Sequence, residues 1–127
     1  MPAFIQIDIA GTDLSVVLDD DDRVAYAYMT QRGKIVADVW LYNIADPPEQ
    51  DPWQDRTQLP FLNPRRFCKQ DAGYRITEDS QVSCTLVSEY AEIKVDGELV
   101  ARLAPGTKPG WSKGAAIDGP LAKSLSE

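Results

Sequence analysis

A chain of 127 residues is long enough for one domain with its own core, and its twenty Asp and Glu against thirteen Lys and Arg leave a net charge of −7. That balance opposes nucleic-acid binding, which asks for a basic stripe, and favours solubility, cations or a basic protein partner. The absence of histidine removes Ser-His-Asp and Cys-His catalysis in their usual form. Two cysteines fall short of a structural zinc site, and neither GxGxxG nor GxxxxGK[ST] is present to cradle a nucleotide phosphate.

The start of the chain, Met1 to Asp8, has no basic n-region and no long apolar run, and no segment approaches the ~20 apolar residues of a membrane span. The expectation is a cytoplasmic protein with Cys68 and Cys84 as reduced thiols. Ile5, Ile7 and Ile9 alternate with polar residues, as in a half-buried strand. A two-residue turn at Gly11-Thr12 sets Ile9 against Leu14, Ile7 against Val16 and Ile5 against Leu18, which makes one face of this first hairpin apolar.

Asp19 to Asp22 lack the glycine and third ligand of a calcium loop, so a solvated turn is expected there. A second hairpin uses Arg23 to Thr30 and Lys34 to Asn43. Pairing across Arg32-Gly33 opposes Val24 to Leu41, Tyr26 to Val39, Tyr28 to Ala37 and Thr30 to Ile35. The opposite face, with Ala25, Ala27, Met29, Val36, Asp38, Trp40 and Tyr42, is too apolar for open solvent and asks for a cover. Asp38 beside Trp40 and Tyr42, opposite Ala27, is the pattern of a carboxyl group with a raised pKa, suited to binding or acid chemistry.

Residues 45–64 form a long segment with no period, two aromatics and spaced prolines, which predicts an ordered draped loop. Leu59, Phe61 and Leu62 are expected to seal the sheet, while Trp53, among Asp51, Pro52, Gln54 and Asp55, is left for contact. A two-turn helix is predicted from Asn63 to Gly73, with Asn at the N-cap and Pro at N1. Arg65 and Arg66 in its first turn oppose the helix dipole, so they should reach back to Asp46, Asp51 or Asp55; the alternative is recognition of an external carboxylate or phosphate.

Gln81 to Glu89 alternates as a strand, and Ala91 to Val95 with Glu98 to Leu103 makes a hairpin around Asp96-Gly97. Its register is open, because Val100 cannot share a face with Leu99, Ala101 and Leu103. Asp118 to Leu125 is a candidate for one or two helical turns. The whole is a single domain, 1–127, mainly β, in which antiparallel hairpins form a sandwich or partly open barrel with one or two short helices; an α+β sheet is the alternative.

The function these features favour is a small acidic interaction protein, a regulator, subunit or inhibitor of a basic partner, with no cofactor, no metal, no nucleic acid and no membrane. Its binding candidates are Trp53, Asp51, Asp55, Asp38, Trp40, Tyr42, Arg65 and Arg66, and no catalytic set is assigned. The alternatives are a small-molecule site or carboxylate chemistry between sheet and loop, and a homodimer whose covered face is its interface.

Overall fold

The computed structural model describes residues 2–125 and is mainly β, with two sheets and no closed barrel. The first is an antiparallel meander of β1 (Ala3–Asp8), β2 (Leu14–Asp20), β3 (Val24–Gln31) and β4 (Lys34–Asn43). The second joins β5 (Val82–Val87), β6 (Tyr90–Val95), β7 (Glu98–Leu103), β8 (Trp111–Ser112) and β9 (Lys123–Ser124), with β8 and β9 parallel. One continuous core contains residues of both sheets, from Val16, Leu18, Met29 and Val39 to Ile93, Val100 and Leu103.

The hairpins arise from alternation and turn chemistry. Ile5 faces Leu18 and Ile7 faces Val16 as the pattern predicts, although the turn begins one residue early, with the Thr12 N–H donating to Ile9 O. Arg32-Gly33 and Asp96-Gly97 both adopt positive φ at their two central positions, the geometry that matches strand twist in a two-residue hairpin.

The second hairpin departs from its predicted register. Thr30 opposes Ile35, but Met29 then opposes Ala37, Tyr26 opposes Trp40 and Ala25 opposes Tyr42, so Val36 and Leu41 are extra residues in β4. Each bulge moves the residues beyond it to the other face. Ala25, Ala27 and Met29 therefore join Tyr42, Val39 and Ala37 on the core face, while Tyr26 and Tyr28 turn outward with Trp40 and Asp38. A third bulge at Val100 resolves the open register of the last hairpin, because it buries Val100, Ala101 and Leu103 together.

The carbonyl of each bulged residue bonds outside its own hairpin. Val36 O accepts from the Gly106 N–H (2.7 Å), Leu41 O from the Ser112 hydroxyl (3.3 Å) and Val100 O from the Lys113 N–H (2.8 Å). Each extra residue frees a carbonyl for a distant segment; the bonds at Val36 and Leu41 tie the first sheet to the second half of the chain, and the bond at Val100 ties β7 to the segment after β8. Further along β4, Asp38 N–H donates to Thr107 O and Trp40 N–H to Leu121 O. Gly114 allows the closest approach, since a Cβ there would lie 2.4 Å from Leu41 O.

Two predicted helices are absent. In the first, only Arg65–Phe67 is helical, as a 3₁₀ turn, because Cys68 is extended and bridges Ala115, the Lys69 N–H donates to Gly114 O and the Ala116 N–H to Phe67 O. The groups a second helical turn needs are thus committed to the tail. Near the C-terminus, the Lys123 N–H donates to Gly110 O and the Leu125 N–H to Ser112 O, making a parallel strand where helical turns were expected. Among the described residues no helix is long and apolar enough to cross a membrane.

Candidate interaction surface

The loop after β4 is held from both sides. Arg23 donates to the carbonyls of Gln58 and Pro60, and the Tyr26 hydroxyl donates to Phe61 O (2.6 Å). Asn43 and Asn63 exchange two bonds, Asn43 Nδ2 to Asn63 O (2.9 Å) and the Asn63 N–H to Asn43 Oδ1 (3.0 Å). From the far end Arg66 forks onto Asp51 (2.6 and 2.9 Å), as the charge pattern predicts, and Arg65 pairs with Glu49 (2.8 Å). Arg66 also lies over the Phe67 ring at 4.3 Å.

These contacts set the electrostatics of the loop. Hydrogen bonds from Arg66, reinforced by its charge, hold the Asp51 carboxyl below the usual range, and donors from Thr57 and Gln58 do the same for Asp55. Trp53 packs edge-on against Phe61, ring centres 5.3 Å apart, and stays half-exposed. Leu59 does not seal the sheet as expected: it is 57% exposed, because the 3₁₀ turn at Arg56–Gln58 leaves it on the outer side of the bend.

The acidic turn after β2 is not simply solvated. Asp20 has no exposed surface and accepts from the Tyr42 hydroxyl (2.6 Å), Arg75 Nε (3.1 Å) and the Asp22 N–H (2.9 Å). The Tyr42 oxygen in turn accepts from the Ile76 N–H (2.8 Å), so one buried carboxylate fastens residues 75–76 to the first sheet. Burial and the Asp20 contact push the Tyr42 hydroxyl up, and it stays a donor through the neutral range. A lone Asp in an acidic run carries no sequence sign of this role; only its place on the core face, in the row Ala3, Asp20, Ala25 and Tyr42, reveals it.

Its neighbour Asp19 points the other way. In antiparallel sheets paired residues share a face, so the outer face has a row of Phe4, Asp19 and Tyr26 and a row of Gln6, Val17, Tyr28 and Asp38. Tyr26 and Tyr28 stack at 5.9 Å with planes 13° apart. The loop covers Tyr26, whereas Tyr28 is half-exposed and Phe4 is 65% exposed. The carboxylates of Asp19 and Asp38 accept no hydrogen bond and enter no ion pair among the described residues.

Burial raises both carboxyl groups above their ordinary value. At Asp19 the charges of Asp21 and Asp20 add to it, and at Asp38 the charge of Lys108 opposes it without an ion pair. The Tyr28 hydroxyl is pushed up to about 12 by burial and by Asp19, Asp38 and Asp21.

Trp40 and Tyr42 do not join that surface. Trp40 is 2% exposed and donates its indole N–H to Asn43 Oδ1 (2.8 Å). Both line a separate cleft of about 220 Å³ with Asp46, Lys69, Asp71 and Tyr74, and Asp38 is not among its walls. A shallower hollow of about 380 Å³ lies between Val87, Tyr90 and Trp111 on the second sheet, where Arg102 and Glu92 are already paired at 3.0 Å. Burial pushes the Cys68 and Cys84 thiols up to about 11, which keeps them protonated and weakly nucleophilic at neutral pH. Among the described residues no group of three or more Cys, Asp or Glu is arranged to hold a metal.

Of the eight residues singled out from sequence, the structure gathers Asp51, Trp53, Asp55, Arg65 and Arg66 in the clasped loop and its anchor, and Trp40 and Tyr42 in the cleft. Asp38 stands apart on the outer sheet face. Sequence reasoning missed Asp19, Tyr28 and Phe4, since the bulges that turn Tyr28 outward have no local signature. No protein-family model, no curated protein and no solved structure matches this chain.

Proposed function

We propose that the protein binds a basic protein partner, as its regulator, subunit or inhibitor, in a reducing, cytoplasmic setting. One observation carries this reading: six of the chain's seven arginines are engaged internally, and twenty Asp and Glu against thirteen Lys and Arg leave carboxylates in surplus. Arg32 pairs with Asp13, Arg65 with Glu49, Arg66 with Asp51, Arg75 with Asp20 and Asp22, and Arg102 with Glu92, while Arg23 holds loop carbonyls. With a net charge of −7, the remaining field speeds encounter with positive surfaces and repels nucleic acid. The free thiols of Cys68 and Cys84 support the reducing setting.

The test is affinity chromatography of a cell lysate on the immobilised protein, with bound proteins identified by mass spectrometry. Retention of a specific protein of high pI, released between about 50 and 500 mM salt as screening shortens the Debye length, is the expected result. Retention of no basic protein above an uncharged control column would overturn it.

A second reading rests on the cleft by Trp40 and Tyr42, whose polar rim of Asp46, Lys69 and Asp71 suits a small polar molecule. Thermal-shift screening of a metabolite set would favour it if a compound stabilised the wild type and a variant with Ala72, which also lines the cleft, changed to fill it (Ala72→Trp) lost that response.

A further inference from the structure

The partner's docking surface is identifiable from the two faces of the first sheet. On most antiparallel sheets with one buried face, the other carries solvated polar side chains. Here that face holds Phe4, Val17 and Tyr28, an apolar centre whose Phe4 ring is 65% exposed, bordered by the carboxylates of Asp19 and Asp38. On the core face and in the loop, by contrast, Asp20, Asp51 and Asp55 each accept two or more hydrogen bonds from the chain. The carboxylates beside Tyr28 accept none.

The spacing decides between ligand classes. Asp19 lies on β2 opposite Tyr26 and Asp38 on β4 opposite Tyr28, two strands apart and offset by two residues. With strands ~4.8 Å apart and a rise of ~3.4 Å per residue, their Cα atoms are roughly 12 Å apart. That is too far for one small cation to bridge both carboxylates. It suits separate cationic side chains on one macromolecular surface, with an apolar or guanidinium group over the Tyr28 ring between them.

We infer that the outer face of the first sheet, centred on Tyr28 between Asp19 and Asp38, is where the basic partner docks, each carboxylate taking one Lys or Arg side chain. This rests on the basic-partner reading above. The clasped loop borders the surface at Tyr26, where the Phe61 carbonyl takes the tyrosine hydroxyl, and sets its edge rather than its centre. Charge complementarity chooses the occupant: a second copy of this acidic chain would bring like charge to the same face.

The probe is an eight-residue peptide of alternating arginine and glycine, titrated into the ¹⁵N-labelled full chain at 20 mM and 300 mM salt and followed by NMR. The expected result is salt-sensitive binding that moves the amide signals of Val17, Asp19, Tyr28 and Asp38. Affinity should fall tenfold or more in the Asp19→Asn/Asp38→Asn variant, as expected when two charge contacts of ~0.7 kcal/mol or more are lost. A charge-matched control, Asp46→Asn/Asp79→Asn, should lose no more than about twofold, the general field effect. Tyr28→Ala should weaken binding even at 300 mM salt.

Equal losses in the two double variants, or signal changes confined to residues 46–58, would overturn the docking assignment and leave the basic-partner reading standing. No binding of the peptide to the wild type at 20 mM salt would overturn both. Amide dispersion in each variant's own spectrum separates lost binding from lost fold.

Discussion

The two faces of the first sheet treat neighbouring aspartates in opposite ways. On the core face Asp20 is enclosed and met by Tyr42, Arg75 and a backbone N–H, while one residue earlier Asp19 faces outward without a partner. Asp38 repeats the outward case on β4. Carboxylates used for folding are therefore paired, and those left partly desolvated and unpaired mark where the fold leaves charge unused. The contrast separates paired acids from unpaired ones in a chain where composition makes them all look alike.

The sharpest way to break the comparison is at Asp20. Asp20→Ala leaves the Tyr42 hydroxyl without its acceptor and Arg75 with Asp22 alone, and should cost about 2–3 kcal/mol in urea unfolding. Tyr42→Phe, which orphans the Ile76 N–H as well, should cost about 1–2 kcal/mol. A loss below about 0.5 kcal/mol in the Asp20 variant would remove it from the structural class.

The clasp gives a smaller and local effect. Arg65→Ala/Arg66→Ala should speed amide exchange in residues 49–58 and leave exchange in β3 and β4 unchanged, as local opening requires. The Asp51 carboxyl is held low in the folded chain, so its contribution is present above the unfolded pKa and fades as pH falls through the lower folded value. Loop exchange in the wild type should approach that of the variant in acid. Uniform exchange changes across the chain would refute a local clasp.

The smallest effect has the opposite sign. Asp19 and Asp38 have raised folded pKa values, so their protonated forms favour the fold, and that contribution is lost as pH rises through the folded values. Asp19→Asn/Asp38→Asn should raise Tm by about 1–3 °C at pH 7, with the gain vanishing near pH 3, where the wild-type groups are protonated. A lower Tm at pH 7 would show that these carboxylates support the fold and would erase the contrast between the faces.

Much of the fold is legible locally. The alternation of Ile5, Ile7 and Ile9, the Arg32-Gly33 and Asp96-Gly97 turns and the β pattern of 82–87 predict the hairpins, because pairs near a turn are set by that turn. The Arg66 to Asp51 clasp is legible too, since two cations at the start of a turn after an acidic loop have few other partners. The clefts, the Asp20 network and the make-up of the outer face of the first sheet are not. Each needs partners such as Ser112 for Leu41 or Arg75 for Asp20, which sequence distance hides.

By itself the sequence determined an acidic, mainly β chain, its main hairpins, the ordered loop and the chemistries it lacks. These come from composition, two-residue alternation and turn residues, all of which act within a few positions. Only the tertiary structure decided which way each side chain faces. Carbonyls at Val36, Leu41 and Val100 bond distant segments, and the extra residue at each turns Tyr28 and Asp38 outward together and lets Val100 and Ala101 be buried side by side. The same long-range demand drew Cys68 and Lys123 into strand pairing, because a backbone group satisfied by a remote neighbour is no longer available to a helix.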